Sequence, residues 1–227
     1  MLVLAPFAAA TWRVDHAAWP YVVASGAFEL AYIALLAAAY RRYELSLVYP
    51  LARGLAPVLA LLAVVVVVGA RPSPEEIAGV FVVAVGILLV RGVHSGRGAW
   101  LAVTIAGAIA GYTVIDRYGI RHANAAPYLL LVILGPAIAY PIAVGRERLV
   151  AAARPVAAVI GAASAATYLL VLLALRLASA PSVSAVRETS VVIAAALARV
   201  VLREPVGARR LAGAALVAGG VALLALA

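Results

Sequence analysis

Long apolar runs, interrupted by short clusters of Arg, Pro, Glu and Gly, dominate this chain from end to end. A helix that crosses a bilayer needs about 20 predominantly apolar residues, and breaks fall where polar and turn-forming residues gather. On that pattern helices are predicted at roughly 20–40, 45–69, 76–92, 98–116, 124–145, 155–176, 180–202 and 207–227. Ahead of them "MLVLAPFAAATW" is apolar but only about half a crossing long. It lacks the basic start of a signal peptide and reads as the remnant of a helix. Trp12, Trp19, Tyr40, Tyr43, Trp100, Tyr118 and Tyr128 lie near the ends of the runs, where the aromatic belts of a membrane protein are expected. The connections are too short for a soluble domain. The expected fold class is all-α integral membrane, with about 8–9 transmembrane helices.

Composition supports the same solvent. The chain is 67% hydrophobic and 12% charged, with a mean hydropathy of +1.12, whereas soluble domains are roughly half apolar and a quarter charged. Its net charge of +9 comes from arginine alone, and most arginines fall between the apolar runs, which points to anionic head groups and topology rather than to nucleic acid. About ten arginines lie in the alternate loops that hold Arg41, Arg91, Arg146 and Arg203, against about five in the others. With no cysteine and three scattered histidines (His16, His94, His122), neither a metal nor another cofactor is expected. No phosphate-binding "GxxxxGK[ST]" loop and no HExxH is present, so neither ATP-driven transport nor enzymatic chemistry is expected.

The chain also repeats. A shift of about 134 residues lays Arg53 on Arg187, Ala78 and Gly79 on Ala212 and Gly213, Gly86 on Gly220, and Leu89 on Leu223. The copies are five helices apart, and an odd offset makes the second copy enter the membrane in the opposite sense, as in the inverted repeats of many secondary transporters. The expected domains are a truncated N-terminal repeat at 1–93 and a five-helix C-terminal repeat at 98–227. A full five-plus-five arrangement would need one further helix, and part of another, before the first run.

These residues resemble a known family. "AYRRYELSLVYPLARG", "GYTVIDRYGIR" and "VRETSVVIAAALARVVLREPVGARRLAGAALVAGGVALL" are similar to the EamA branch of the drug/metabolite transporter superfamily, over the chain from about residue 18 onward. The resemblance implies ten helices in two inverted fives and export or exchange of small metabolites. Similar proteins also carry a first helix, often with an "H-A-x-W-N" signature, that has no counterpart here. A non-transporting truncated homologue, or a subunit completed by a partner helix, is the alternative. The expected partners are a small-molecule substrate and the lipid bilayer, with a homodimer as one arrangement open to the chain. The expected location is the plasma membrane of a bacterium.

Charges inside apolar runs mark the candidate site, since a charge at the bilayer centre costs from about 2.5 to over 10 kcal/mol unless it is paired, hydrated or turned inward. Arg53 and its repeat mate Arg187 either line a substrate pathway for an anionic group, or hold helices together by pairing, Arg53 with Glu29 or a tyrosine. Pro50 and Pro57 break the backbone ladder around Arg53. Glu29 is either a proton carrier or a counter-ion, and Glu188 points about 100° around the helix from Arg187. Among tyrosines within the runs, Tyr49 and Tyr112 are the favoured pathway residues, near Arg53 and near Thr113 and Asp116 respectively, with Tyr168 matching Tyr32 across the repeat. Gly107 with Gly111, and the small residues of "GAASAAT" from Gly161, are expected to let helices pack closely.

Overall fold

The computed structural model describes residues 4–43, 45–91, 98–145, 154–190, 193 and 207–226. Among them it is helical throughout: α1 (Leu4–Ala10), α2 (Trp19–Arg42), α3 (Leu45–Val66), α4 (Pro74–Arg91), α5 (Ala99–Gly119), α6 (Ala125–Val144), α7 (Pro155–Leu177), α8 (Ala180–Arg187) and α9 (Ala208–Leu224). A short 3-10 turn, His16–Ala18, leads into α2.

Local chemistry explains several of these ends. Before α4, the Ser73 hydroxyl accepts the Glu76 backbone N–H at 3.0 Å. Glu75 and Glu76 in its first turn also complement the positive end of the helix dipole. Ser179 caps α8 in the same way, accepting from the Ser182 N–H at 3.2 Å. The run expected to 69 stops at Val66, because Gly69 turns left-handed (φ 71°) and the Ala70 N–H closes back on the Val64 carbonyl at 3.0 Å. α5 instead continues past the expected end at 116 to Gly119, which puts Arg117 and Tyr118 on helix as well. The run expected over 180–202 is helical to Arg187, turns at Glu188 and resumes at Thr189; from residue 191, apart from 193, it lies outside the described residues.

The apolar surface faces outward. α7 exposes Val156, Val159, Ile160, Leu170, Leu173 and Leu177 while burying Val171, Leu172 and Leu175. Helices α5, α6 and α7, and the stretch from His16 to Arg42, are each long and apolar enough to cross a membrane. Such helices, with isoleucines and leucines on their outer faces, are those of an integral membrane protein.

The chain forms two compact units. One comprises the chain up to Ile33 together with Ile115–Ala178; the other comprises Ala34–Val114 and everything from Ser179. In the second unit Leu61, Val80, Val83, Ile87, Ala185, Val217 and Leu224 make the core. Its closest contact is between α4 and α9, which run antiparallel with their backbones touching. A Cβ placed on Gly86 would lie 2.8 Å from the Gly213 carbonyl oxygen, and one on Gly213 would lie 2.6 Å from that of Gly86. Gly79 and Gly220 face each other likewise, at 3.0 and 2.9 Å. Only glycine permits this approach.

Of the glycines expected to serve that role elsewhere, Gly107 and Gly161 do not: among the described residues a Cβ on either would meet nothing within 4 Å. The glycine-to-glycine approaches are those of α4 and α9, whose glycines are seven residues apart, about two turns, and so share one face.

Candidate functional site

In the second unit Arg53 lies on α3 within a face that buries Ala52, Ala56 and Ala60. Its Nη1 donates to Glu188 Oε1 at 3.0 Å; the arginine side chain keeps 24% of its surface exposed and the glutamate side chain 3%. Glu188, a further candidate from the sequence, thus supplies a carboxylate to Arg53, for which Glu29 or a tyrosine is the partner expected from the sequence. Glu188 is the C-cap of α8, where its N–H bonds to the Ala185 carbonyl at 3.0 Å, a tighter three-residue turn, and the Thr189 hydroxyl donates to the Val186 carbonyl. The ion pair therefore sits at a break in a helix. Arg187, half-buried, precedes it. Tyr49 is on α3, but its side chain lies outside the described residues.

A second polar knot in this unit joins the starts of α4 and α8. The Glu76 carboxylate accepts from the Ser179 hydroxyl and, at 3.1 Å, from the Ser182 hydroxyl. One carboxylate thus serves both helix N-termini, where negative charge is favoured.

In the first unit the centre is Asp116, 1% exposed. Its Oδ1 accepts from the Ser25 hydroxyl at 2.5 Å and from the Tyr128 hydroxyl at 2.9 Å, and its Oδ2 accepts from the Tyr168 hydroxyl at 2.6 Å. Four helices, α2, α5, α6 and α7, each supply one group. The pairing of Asp116 with Tyr168 joins two candidates from the sequence. Ser25 and Tyr128 were not among them. Tyr128, expected in an aromatic belt, is fully buried, because its ring fits over Gly119, where a Cβ would run into the hydroxyl. Its signal in the sequence was its place two helix turns or more from any other polar group of α6. Ser25 offered less, a lone hydroxyl four residues before Glu29.

The remaining candidates are also placed within the helices. Tyr112 is buried on α5 one turn before Asp116, and Glu29 is buried in α2 at 8% exposure. The hydroxyl of Thr113 is taken up by its own helix, donating to the Ile109 carbonyl at 2.7 Å. Among the described residues no group of three or more His, Cys, Asp or Glu could hold a metal ion.

Comparison with known proteins adds the family. The sequence model of the EamA-like transporter family matches residues 96–226, more than half of the chain. No curated protein matches. A solved crystal structure, of a protein described only as such, is similar in fold: the TM-score is 0.73 at 18% identity, covering 92% of this chain and 76% of that one.

Proposed function

Because this chain belongs to the EamA-like transporter family, we propose that it is a secondary transporter, exporting or exchanging small metabolites across the plasma membrane by alternating access. The observation that carries the site of this reading is the ion pair of Arg53 with Glu188. Substrate sites of such carriers are built where helices are discontinuous, and this pair joins the break in α8 to the proline-flanked turn of α3. The two partners are unequally exposed. An anionic group that enters from solvent meets the guanidinium first and competes with Glu188 for it, so occupancy changes how α3 and α8 are tied. Carboxylate- or phosphate-bearing metabolites fit that fork best. Tyr49, Tyr112, Tyr168, Asp116, Glu29 and Arg187 complete the proposed pathway.

The glycine contacts support the inverted repeats at 1–93 and 98–227. The repeat matches Gly79 with Gly213 and Gly86 with Gly220. Exchanging the copies turns the contact of Gly79 with Gly220 into that of Gly213 with Gly86, and both contacts are present. A two-fold axis between α4 and α9 has that property.

Efflux of a pooled metabolite mixture from proteoliposomes tests the reading. The wild-type chain exports at least one solute, Arg53→Ala lowers its initial rate about tenfold or more, and Arg53→Lys falls between, since it keeps the charge and loses the fork. If Arg53→Ala transports at the wild-type rate while unfolding at a lower temperature, the pair is a structural pin and the site is elsewhere. If the wild-type chain moves no solute, the transport reading itself fails.

A further inference from the structure

The first unit carries a second constellation, at the end where α5 and α7 finish and α2 and α6 begin. There the segment before α2 and the turn between α5 and α6 are tied by backbone hydrogen bonds, from Asp15 N–H to the His122 carbonyl at 2.9 Å and from Asn124 N–H to the Arg13 carbonyl at 2.8 Å. This bridge walls a cavity of about 410 Å³ whose lining includes Arg13, Arg117, Arg121 and Arg176, with Asp15 and His122. Several of these side chains are held in place. Arg176 donates to the Ala123 carbonyl at 2.6 Å, the Arg121 guanidinium lies 5.5 Å from the Tyr118 ring centre, and the His122 ring stacks on Tyr21 at 5.8 Å.

Four arginines thus line one cavity with a single carboxylate residue, Asp15, and among the described residues none of the four forms an ion pair. Converging like charges repel unless an anion lies among them. Orienting the chain in the membrane does not call for that convergence, which needs only that arginines be in the right loops. Of Arg13, Arg71, Arg117, Arg121 and Arg176, the five arginines of these alternate loops, four are in this one cavity. Trp12, next to Arg13, and Trp19, at the start of α2, are 55% and 45% exposed, as suits rings at the level of lipid head groups.

We propose that this cavity binds a phosphate group, that of an anionic phospholipid at the membrane interface, gripped by the arginine forks. The site is separate from Arg53 and holds whether or not the chain transports. A soluble phosphate ester shares the chemistry, and the test separates the two. The purified chain in neutral detergent is unfolded thermally during titration with phosphatidylglycerol, phosphatidylcholine or glycerol phosphate. Phosphatidylglycerol raises the unfolding midpoint and phosphatidylcholine does not. The double substitution Arg13→Gln with Arg121→Gln raises the phosphatidylglycerol concentration needed about tenfold, as for loss of one or two charge-assisted hydrogen bonds. Arg71→Gln, outside the cavity, leaves it unchanged. Should the double variant not fold, Arg13→Gln alone carries the comparison, since the Arg13 side chain makes no hydrogen bond among the described residues. Equal effects of the two lipids, or equal loss in Arg71→Gln, overturn the proposal. Glycerol phosphate acting as strongly as phosphatidylglycerol overturns the lipid assignment and leaves a soluble ester as the ligand.

Discussion

Hydroxyls from three helices converge on Asp116, and a carboxylate so placed organises more of its unit than any single apolar contact. Replacing it by leucine removes the carboxylate that accepts from the Ser25, Tyr128 and Tyr168 hydroxyls. A buried donor that loses its acceptor costs about 1–3 kcal/mol, so Asp116→Leu is expected to unfold the chain in detergent or lower its midpoint severely. Asp116→Asn keeps an acceptor oxygen and costs less, and Tyr168→Phe, which removes one bond to a charged group, costs about 1.5–3 kcal/mol. Thermal unfolding of the three variants ranks them; equal midpoints for Leu and Asn would mean that the hydroxyls have other acceptors. At Arg53, Glu188→Leu with Arg53→Met should be milder than either single change, because each alone removes one charge of the ion pair and leaves the other, part-buried in Arg53 and buried in Glu188, without that pairing.

Helices meet here through glycine, and which glycine matters is a question of neighbours. Gly86→Ala puts a methyl group 2.8 Å from the Gly213 carbonyl oxygen and should destabilise by about 1–3 kcal/mol despite a better helix propensity. Gly79→Ala is milder, since its nearest atoms belong to the flexible Leu224 side chain. Gly107→Ala meets open space and gains up to about 1 kcal/mol of helix propensity. Unfolding midpoints in the order Gly107→Ala, Gly79→Ala, Gly86→Ala, from highest to lowest, check this. In the sequence the GxxxG of Gly107 and Gly111 was the more conspicuous motif. Spacing alone marks a helix face, however, and says nothing of whether another helix lies against it.

For the whole chain, the outward apolar faces predict that it remains in the membrane pellet after alkaline carbonate extraction and is released only by detergent. Release by carbonate would contradict the assignment of α5, α6 and α7 as spans. Composition made this solvent legible, and among the described residues the apolar runs located seven of the nine helices to within a few residues at both ends and an eighth, α8, at its start, because run length against bilayer thickness is a property of the sequence alone. The breaks at Gly69 and Glu188 were not visible in run length, since both depend on backbone conformation in the folded chain.

The residues by themselves determined that this chain is an all-helical membrane protein, that it resembles a transporter family, and that Arg53, Asp116, Tyr168 and Glu188 merit attention as polar groups in apolar surroundings. Only the tertiary structure decided their partners. It gave Arg53 to Glu188, 135 positions away in sequence, set Tyr128 and Ser25 on Asp116, and gathered Arg13, Arg117, Arg121 and Arg176 around one cavity. Hydropathy is summed along the chain and survives without a fold, whereas a hydrogen bond or an ion pair acts over about 3–4 Å and exists only once packing has brought its two ends together.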